Sequence, residues 1–239
     1  MSVLANQLRS VLVIALLAGA AAPSLAGQLV VVEARGADLK PGQSLDGGAV
    51  LTLAAGAKVV LVSAEGTTLS LKGPFASAPE GDGGGKGNRV AESLKGLVAQ
   101  RTADTSSLGA ARGVAGLKAL PNPWLWDATL VGDVCGLPGE APVLWRPSAE
   151  AEQELVLTPV DRSWAARARW PAGSPTLALP RNTPIVDGVS YMVELDGKKA
   201  ALTVHLAPAG LTTEPMVAAW LGVQRCDRQL MALAPQLEP

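Results

Sequence analysis

Histidine and cysteine, two side chains that often perform acid–base or nucleophilic catalysis, are scarce in this sequence. His205 is the only histidine among 239 residues, so any serine- or cysteine-hydrolase machinery would have to use it. It lies between Val204 and Leu206 in an apolar run, and we interpret it as a partly buried structural residue. The sequence has no Gly-x-Ser-x-Gly motif and too few His and Cys for a converging metal site. We therefore predict no catalytic residues, no metal and no cofactor.

Three carboxylates alternate along one stretch of the chain, at Glu150, Glu152 and Glu154. On a strand they would share one face at roughly 7 Å between neighbours, a spacing that overlaps that of glycosidase carboxylate pairs. Such chemistry also requires one acid to be shielded from water so that its pKa rises. Because Ala and Gln separate these residues, we favour a solvated strand edge and keep a hydrolase only as the last alternative.

The tryptophans and neighbouring arginines are the remaining candidates for a binding surface. Trp164 and Trp170 are six residues apart, which places them on one face of a strand, and Trp145 is followed by Arg146. Aromatic faces combined with guanidinium groups can bind a sugar or a peptide. With one Phe and one Tyr in the chain, however, tryptophan also has to supply the aromatic core. We favour the core interpretation and keep a carbohydrate- or cell-wall-binding module as the alternative.

The N-terminus has the three parts of an export signal: Arg9, an apolar run over 11–22, and a small-residue site after Pro23. We predict that residues 1–26 are a signal peptide, cleaved near Ala26 and Gly27, and that the protein is periplasmic or secreted. An uncleaved anchor is the alternative, but a membrane-spanning helix needs about 20 apolar residues. No later stretch is long and apolar enough to predict a span in the mature chain.

Cleavage would remove one of 20 basic residues and leave 21 acidic ones, so the mature chain would carry a net charge of −2. Such a weak charge argues against binding nucleic acid or anionic lipid. In an oxidising compartment the only two cysteines, Cys135 and Cys226, are expected to form a disulfide, with two free thiols as the alternative.

Short segments rich in Val, Leu and Thr, separated by Gly and Pro turns, predict a mainly β fold. A small N-terminal β module precedes an immunoglobulin- or fibronectin-like β-sandwich and a C-terminal helix. Alternation of apolar and other residues predicts that the module's sheet is buried on one face. The Gly-rich run lacks the spacing of a phosphate-binding loop and is interpreted as a linker. The predicted units are a module over 27–75, a linker over 76–88, a helix over 89–103, a linker over 104–120, a sandwich over 121–209 and a helix over 212–234.

The predicted strands of the module are 29–34, 50–54, 59–63 and 67–71. Those of the sandwich are 126–130, 143–146, 154–158, 164–170, 176–179, 190–195 and 200–206. Asp196-Gly197 between the last two is a strong hairpin signal. Cys226 lies at the edge of the apolar face of the C-terminal helix, so a disulfide to Cys135 would attach this helix to the side of the sandwich.

Three segments of the module, VVVEARGADLKPGQSL, AVLTLAAGAKVVLVSAEG and LSLKGPF, resemble the FecR-type β module of periplasmic proteins. FecR proteins proper carry a transmembrane helix that passes a signal to a sigma-factor partner. This sequence has no such helix, so the resemblance implies an interaction module and not that signalling role. We predict a non-enzymatic binding protein of the bacterial cell envelope that engages an envelope protein, accessory to a sensory or assembly system.

Overall fold

The computed structural model describes residues 27–79 and 118–237. The predicted signal peptide, the 89–103 helix and most of both predicted linkers lie outside the described residues. Within the described ranges the fold is mainly β, with fourteen strands in four sheets and short helices near the C-terminal end, which confirms the predicted fold class.

The N-terminal module is formed by two antiparallel sheets. Its strands are β1 Gln28–Arg35, β2 Ser44–Asp46, β3 Leu51–Leu53, β4 Lys58–Ser63, β5 Thr68–Lys72 and β6 Phe75–Ser77. One sheet has the order β2-β1-β4-β5, and β3 pairs with β6 in the other. The sequence missed the two three-residue strands β2 and β6, so the module extends to Ser77, into the predicted linker. Only glycine fits at Gly73, because a Cβ there would lie 1.7 Å from the Ala54 carbonyl oxygen.

The sheet of the module is buried on both faces along β1 and β4. One face forms a core within the module, around Leu29, Val31 and Leu61. The other face, which carries Val30 and Val62, belongs to a different core. The prediction of a single buried face is therefore wrong for these strands: their unbroken apolar sequences are typical of strands covered on both sides.

The sandwich packs a five-stranded sheet, β11-β10-β13-β14-β8, against a three-stranded sheet, β12-β9-β7. Its strands are β7 Leu125–Asp127, β8 Gly132–Gly136, β9 Val143–Trp145, β10 Gln153–Pro159, β11 Ala166–Trp170, β12 Thr176–Ala178, β13 Ser190–Leu195 and β14 Lys198–Leu206. All seven predicted strands are present: β13 has the predicted ends, and the other six have shifted ends. The sequence missed β8, whose five residues include two glycines and a charge.

Two features of the sandwich match the predicted immunoglobulin-like class. The strand order β11-β10-β13-β14 opposite β12-β9-β7 corresponds to C′-C-F-G opposite E-B-A, with β8 added in parallel to β14. The pairing of β7 with β9 is parallel and departs from the antiparallel sheets of that class. At the start of β13 the Tyr191 hydroxyl accepts a hydrogen bond from the Val186 amide at 2.8 Å and contacts the Pro184 carbonyl at 3.3 Å. A tyrosine that ties this strand to the preceding loop is a hallmark of such sandwiches.

The C-terminal region contains two helices, α1 Glu214–Val223 and α2 Asp227–Leu233, followed by a 3-10 turn at Ala234–Gln236. The predicted single helix over 212–234 is therefore wrong. Thr213 caps the N-terminus of α1, where its side chain accepts a hydrogen bond from the Met216 amide. Arg225 adopts a left-handed conformation (φ 63°), and the Cys226 amide bonds the Leu221 carbonyl at 2.9 Å. This is a Schellman termination, which usually signals itself by glycine and here uses arginine.

The two helices lie between the module and the sandwich and pack against both. Their core includes Met216, Trp220 and Leu221 from α1, together with Val30 and Val62 of the module and Cys135 of the sandwich. The Thr213 hydroxyl also donates to the Ala64 carbonyl of the module at 2.7 Å. The C-terminal helices therefore cover one face of the N-terminal sheet and also pack against the side of the sandwich.

Candidate functional site at the two ends of the sandwich

The loops of the sandwich gather at two opposite ends. The Arg146 end contains the connections 128–131, 146–152, 171–175 and 196–197. The Val186 end contains the connections 137–142, 160–165 and 179–189. Each end holds a cavity, and the two cavities differ in their chemistry.

Arg146, directly after β9, has a fully buried guanidinium group with 1 % of the residue exposed. Its nitrogens donate to three neutral acceptors, the carbonyls of Pro171 (2.7 Å) and Ser174 (3.3 Å) and the Oε1 of Gln153 (2.8 Å). The guanidinium carbon lies 4.9 Å from the centroid of the Trp170 ring. Within residues 27–79 and 118–237, no carboxylate forms an ion pair with this cation.

A cavity of about 480 Å³ adjoins Arg146 at this end. Gln153 lines it beside the guanidinium, and the exposed side chains of Lys198 and Lys199 line it from the β13–β14 hairpin. The same cavity carries one carboxylate, Glu150. The predicted Asp196-Gly197 turn is confirmed, with both residues at positive φ, and it is this turn that brings the lysines to the cavity.

The Val186 end has an apolar character. Five large hydrophobic side chains are exposed among the described residues, and three of them, Leu137, Val160 and Val186, lie here. A cleft of about 400 Å³ lies at the same end, with Leu137 in its wall. Its walls contain Trp124, Trp126, Leu137, Pro142, Ile185 and Leu206, with Glu140 and Arg181 as charged members.

The four predicted binding residues do not form a common exposed surface. Trp145, Arg146 and Trp170 are buried, which confirms the core interpretation for the two tryptophans and excludes them as an exposed sugar platform. Trp145 faces outward from the three-stranded sheet, but the Arg228 guanidinium of α2 covers its ring at 5.5 Å. Trp164 is half-buried at the Val186 end, 5.9 Å from the Tyr191 ring, and is separated from the other three.

The possible acid–base residues lie outside both cavities or in exposed positions. His205 and Asp133 on neighbouring strands form a pair with 2.9 Å between Nε2 and Oδ1, and both are partly buried, as expected for His205. Glu152 and Glu154 are exposed and face Arg169 and Arg167 at 4.0 and 3.3 Å. Neither carboxylate is shielded as a glycosidase acid must be, so this geometry favours the solvated edge.

A buried network holds α2 against the free edge of β8. The Oε1 of Gln229 accepts from the Cys135 amide at 2.6 Å, and its Nε2 donates to the carbonyls of Cys135 and Pro123 at 2.7 Å each. The Cys135–Cys226 disulfide joins the same two elements, with 5.9 Å between the Cα atoms. The side-chain amide of Gln229 thus pairs with the Cys135 backbone groups on the free edge of β8, an edge that no other strand of the described residues covers.

Sequence reasoning predicted the disulfide and named Arg146 as a binding candidate, but it did not single out Lys198, Lys199, Val160, Val186 or Gln229. Lys198 and Lys199 directly follow a recognisable hairpin turn. Because such a turn lies at an end of a sandwich, their place in the fold could have been predicted from this position. Nothing local to Gln229 distinguishes it from a solvent-facing helical residue.

Comparison with known proteins found no matching family and no similar curated protein. In the described part of the chain, no helix has both the length and the apolar character needed to cross a membrane. Within the same ranges, no group of three or more His, Cys, Asp or Glu side chains is placed to hold a metal ion.

Proposed function

We propose that this chain is an exported, non-enzymatic protein of the bacterial cell envelope that binds a protein partner through the Val186 end of its sandwich. One observation carries the proposal: Val160 is 64 % exposed and Val186 is 54 % exposed at the same end as the apolar cleft. Exposed apolar groups gathered beside a cleft with charged residues at its rim are typical of a protein-interaction site.

The framework behind this end suits binding by a preformed surface. Tyr191 ties the 179–189 loop to β13, and the Val160 amide bonds the Ser190 carbonyl of the same strand at 3.0 Å. Both loops are therefore fixed to one rigid strand, which lowers the entropy that binding must overcome. The Ser163 amide and hydroxyl hold the pKa of the Asp161 carboxyl below its usual value, so this loop keeps a negative charge beside the valines.

Export is the other part of the proposal. The signal-like N-terminus predicts it, and the Cys135–Cys226 disulfide supports an oxidising compartment. The FecR-type resemblance of the module points to the same setting and to a sensory or assembly system. N-terminal sequencing of protein recovered outside the cytoplasm should begin near Gly27, and a mature chain that retains residues 1–26 would refute cleavage.

Partner binding can be tested with matched substitutions of exposed valines. The test variant carries Val160→Asp and Val186→Asp, and the control carries the same change at Val50 and Val131, which are 73 % and 75 % exposed elsewhere. We expect wild type and control to retain the same protein from a detergent extract of the cell envelope, quantified by mass spectrometry, and the test variant to lose it. Equal retention by all three proteins would refute the assignment of the Val186 end.

A further inference from the structure

The cavity at the Arg146 end contains a buried positive charge for which the described residues supply no counter-ion. Arg146 is buried with 1 % exposure, and its three hydrogen-bond acceptors are two carbonyls and one amide oxygen. These acceptors orient the guanidinium group but do not neutralise its charge. A buried ion without a counter-ion is costly, and the Trp170 face at 4.9 Å offsets only part of that cost.

Hydrogen-bond donors remain available beside this charge. A guanidinium group has five N–H donors, and Arg146 uses three of them in the bonds above. Among the described residues the Gln153 side chain is hydrogen-bonded through its oxygen, and its amide N–H groups are further donors on the cavity wall. Planar N–H donors on a buried cation match the geometry of carboxylate and phosphate oxygens.

The charges on the cavity wall have the sign that such a ligand needs. Arg146, Lys198 and Lys199 contribute three positive charges, and Glu150 contributes one negative charge. Lys199 also approaches Glu194 at 3.5 Å, but both side chains are substantially exposed, so this pair is weak. The volume of about 480 Å³ lies within the ordinary range of small-molecule sites.

We propose that this cavity binds a small ligand bearing a carboxylate or phosphate group, with Arg146 as the buried anchor and the two lysines as its entrance charges. The ligand supplies the counter-charge that the described residues do not give to Arg146. This site goes beyond the proposed partner binding, because it lies at the opposite end of the sandwich and uses none of the exposed valines.

The test is a titration of the ¹⁵N-labelled mature protein with succinate and, separately, with inorganic phosphate at constant ionic strength. We expect a saturable shift of the Arg146 Nε–H signal and of the Lys198 and Lys199 amides with at least one of the two anions. The anion that binds more tightly identifies the ligand class as carboxylate or phosphate. Neutral succinamide should produce no such shift, and the absence of saturation with both anions would overturn the proposal.

Variants separate a specific site from general attraction of anions. Because Arg146 is buried, Arg146→Gln is at risk of failing to fold, so the main variant is Lys198→Gln with Lys199→Gln, which changes exposed side chains only. We expect it to bind about five- to tenfold more weakly, as removal of two entrance charges implies. The exposed control Lys72→Gln should bind like wild type, and equal affinity of the double variant would contradict the assigned role of the lysines.

The valine variant keeps the two proposals distinguishable. Val160→Asp with Val186→Asp should retain anion binding even though it loses the partner. Loss of anion binding in this variant, with the fold intact, would contradict the separation of the two sites.

Discussion

Gln229 offers the sharpest test of how α2 is attached to the sandwich. The residue is 2 % exposed, and its amide makes three hydrogen bonds of 2.6 to 2.7 Å to backbone groups of Cys135 and Pro123. In Gln229→Leu the side-chain volume is largely kept, but the Cys135 amide and the Pro123 carbonyl lose this partner. The Cys135 carbonyl still accepts from Trp126 Nε1 at 2.9 Å.

The cost follows from these two groups. A buried polar group left without its partner costs about 1–3 kcal/mol, so we expect the free energy of unfolding to fall by about 3 kcal/mol. Urea unfolding followed by tryptophan fluorescence measures this change. The exposed residue Gln43 provides the control, because Gln43→Leu should change the same free energy by less than about 0.5 kcal/mol. A loss below about 1 kcal/mol in Gln229→Leu would refute the account.

The variant Gln229→Glu adds a pH signature. When ionised, the new carboxylate faces two carbonyl oxygens and has no hydrogen to donate, so burial and these neighbours raise its pKa in the folded state. A raised folded-state pKa means that stability is fully present below the unfolded value of about 4.3 and falls as the pH rises through the folded value. Stability relative to Gln229→Leu should therefore decrease from acidic to neutral pH, and a pH-independent difference would contradict the geometry.

Two further predictions concern the joined core. Replacing Cys135 and Cys226 by Ala should lower the free energy of unfolding by up to about 4–5 kcal/mol relative to the oxidised wild type, since the bridge closes a loop with a sequence separation of 91. Urea titration of the variant and of oxidised and reduced wild type measures this change, and equal stability of the oxidised and reduced wild type would contradict it. Trp220→Ala should lower the free energy of unfolding by about 3–5 kcal/mol. Because Trp220 covers the module's sheet, the variant should lose more hydrogen-exchange protection in β1 and β4 than in β10 and β13. Uniform loss of protection across all four strands would contradict that placement.

Local signals in the sequence predicted the local structure well. Asp196-Gly197 marked a hairpin because its residues tolerate positive φ. The helix α1 begins after Thr213, a common capping residue type, whose hydroxyl accepts from the Met216 amide. Arg225 gave no such signal, because arginine rarely occupies the left-handed position that ends α1. The chemistry of single residues thus revealed turns and caps wherever the usual residue type is present.

Long-range burial could not be predicted in the same way. Only one face of the module's sheet was predicted to be buried, yet Val60 and Val62 on the other face are buried because α1, far along the chain, covers them. Arg146 was singled out as a binding candidate next to Trp145, but it is buried by contacts with Gln153 and with the 171–175 loop, which local sequence does not reveal. The role of Lys198 and Lys199 in the adjoining cavity could be identified only from the fold, which places the β13–β14 hairpin at the same end of the sandwich as Arg146.

The position of the C-terminal helices has a consequence for the order of folding. A chain that emerges N-terminus first, from a ribosome or through a translocation channel, presents β1 long before α1 exists. The outer face of β1 and β4 therefore stays uncovered until α1 has emerged, so residues from Glu214 onward are needed to cover a sheet that begins at Gln28. Contacts this far apart in sequence form slowly and leave apolar strands exposed meanwhile. Burial of the N-terminal sheet is thereby deferred until α1 has been made or transported.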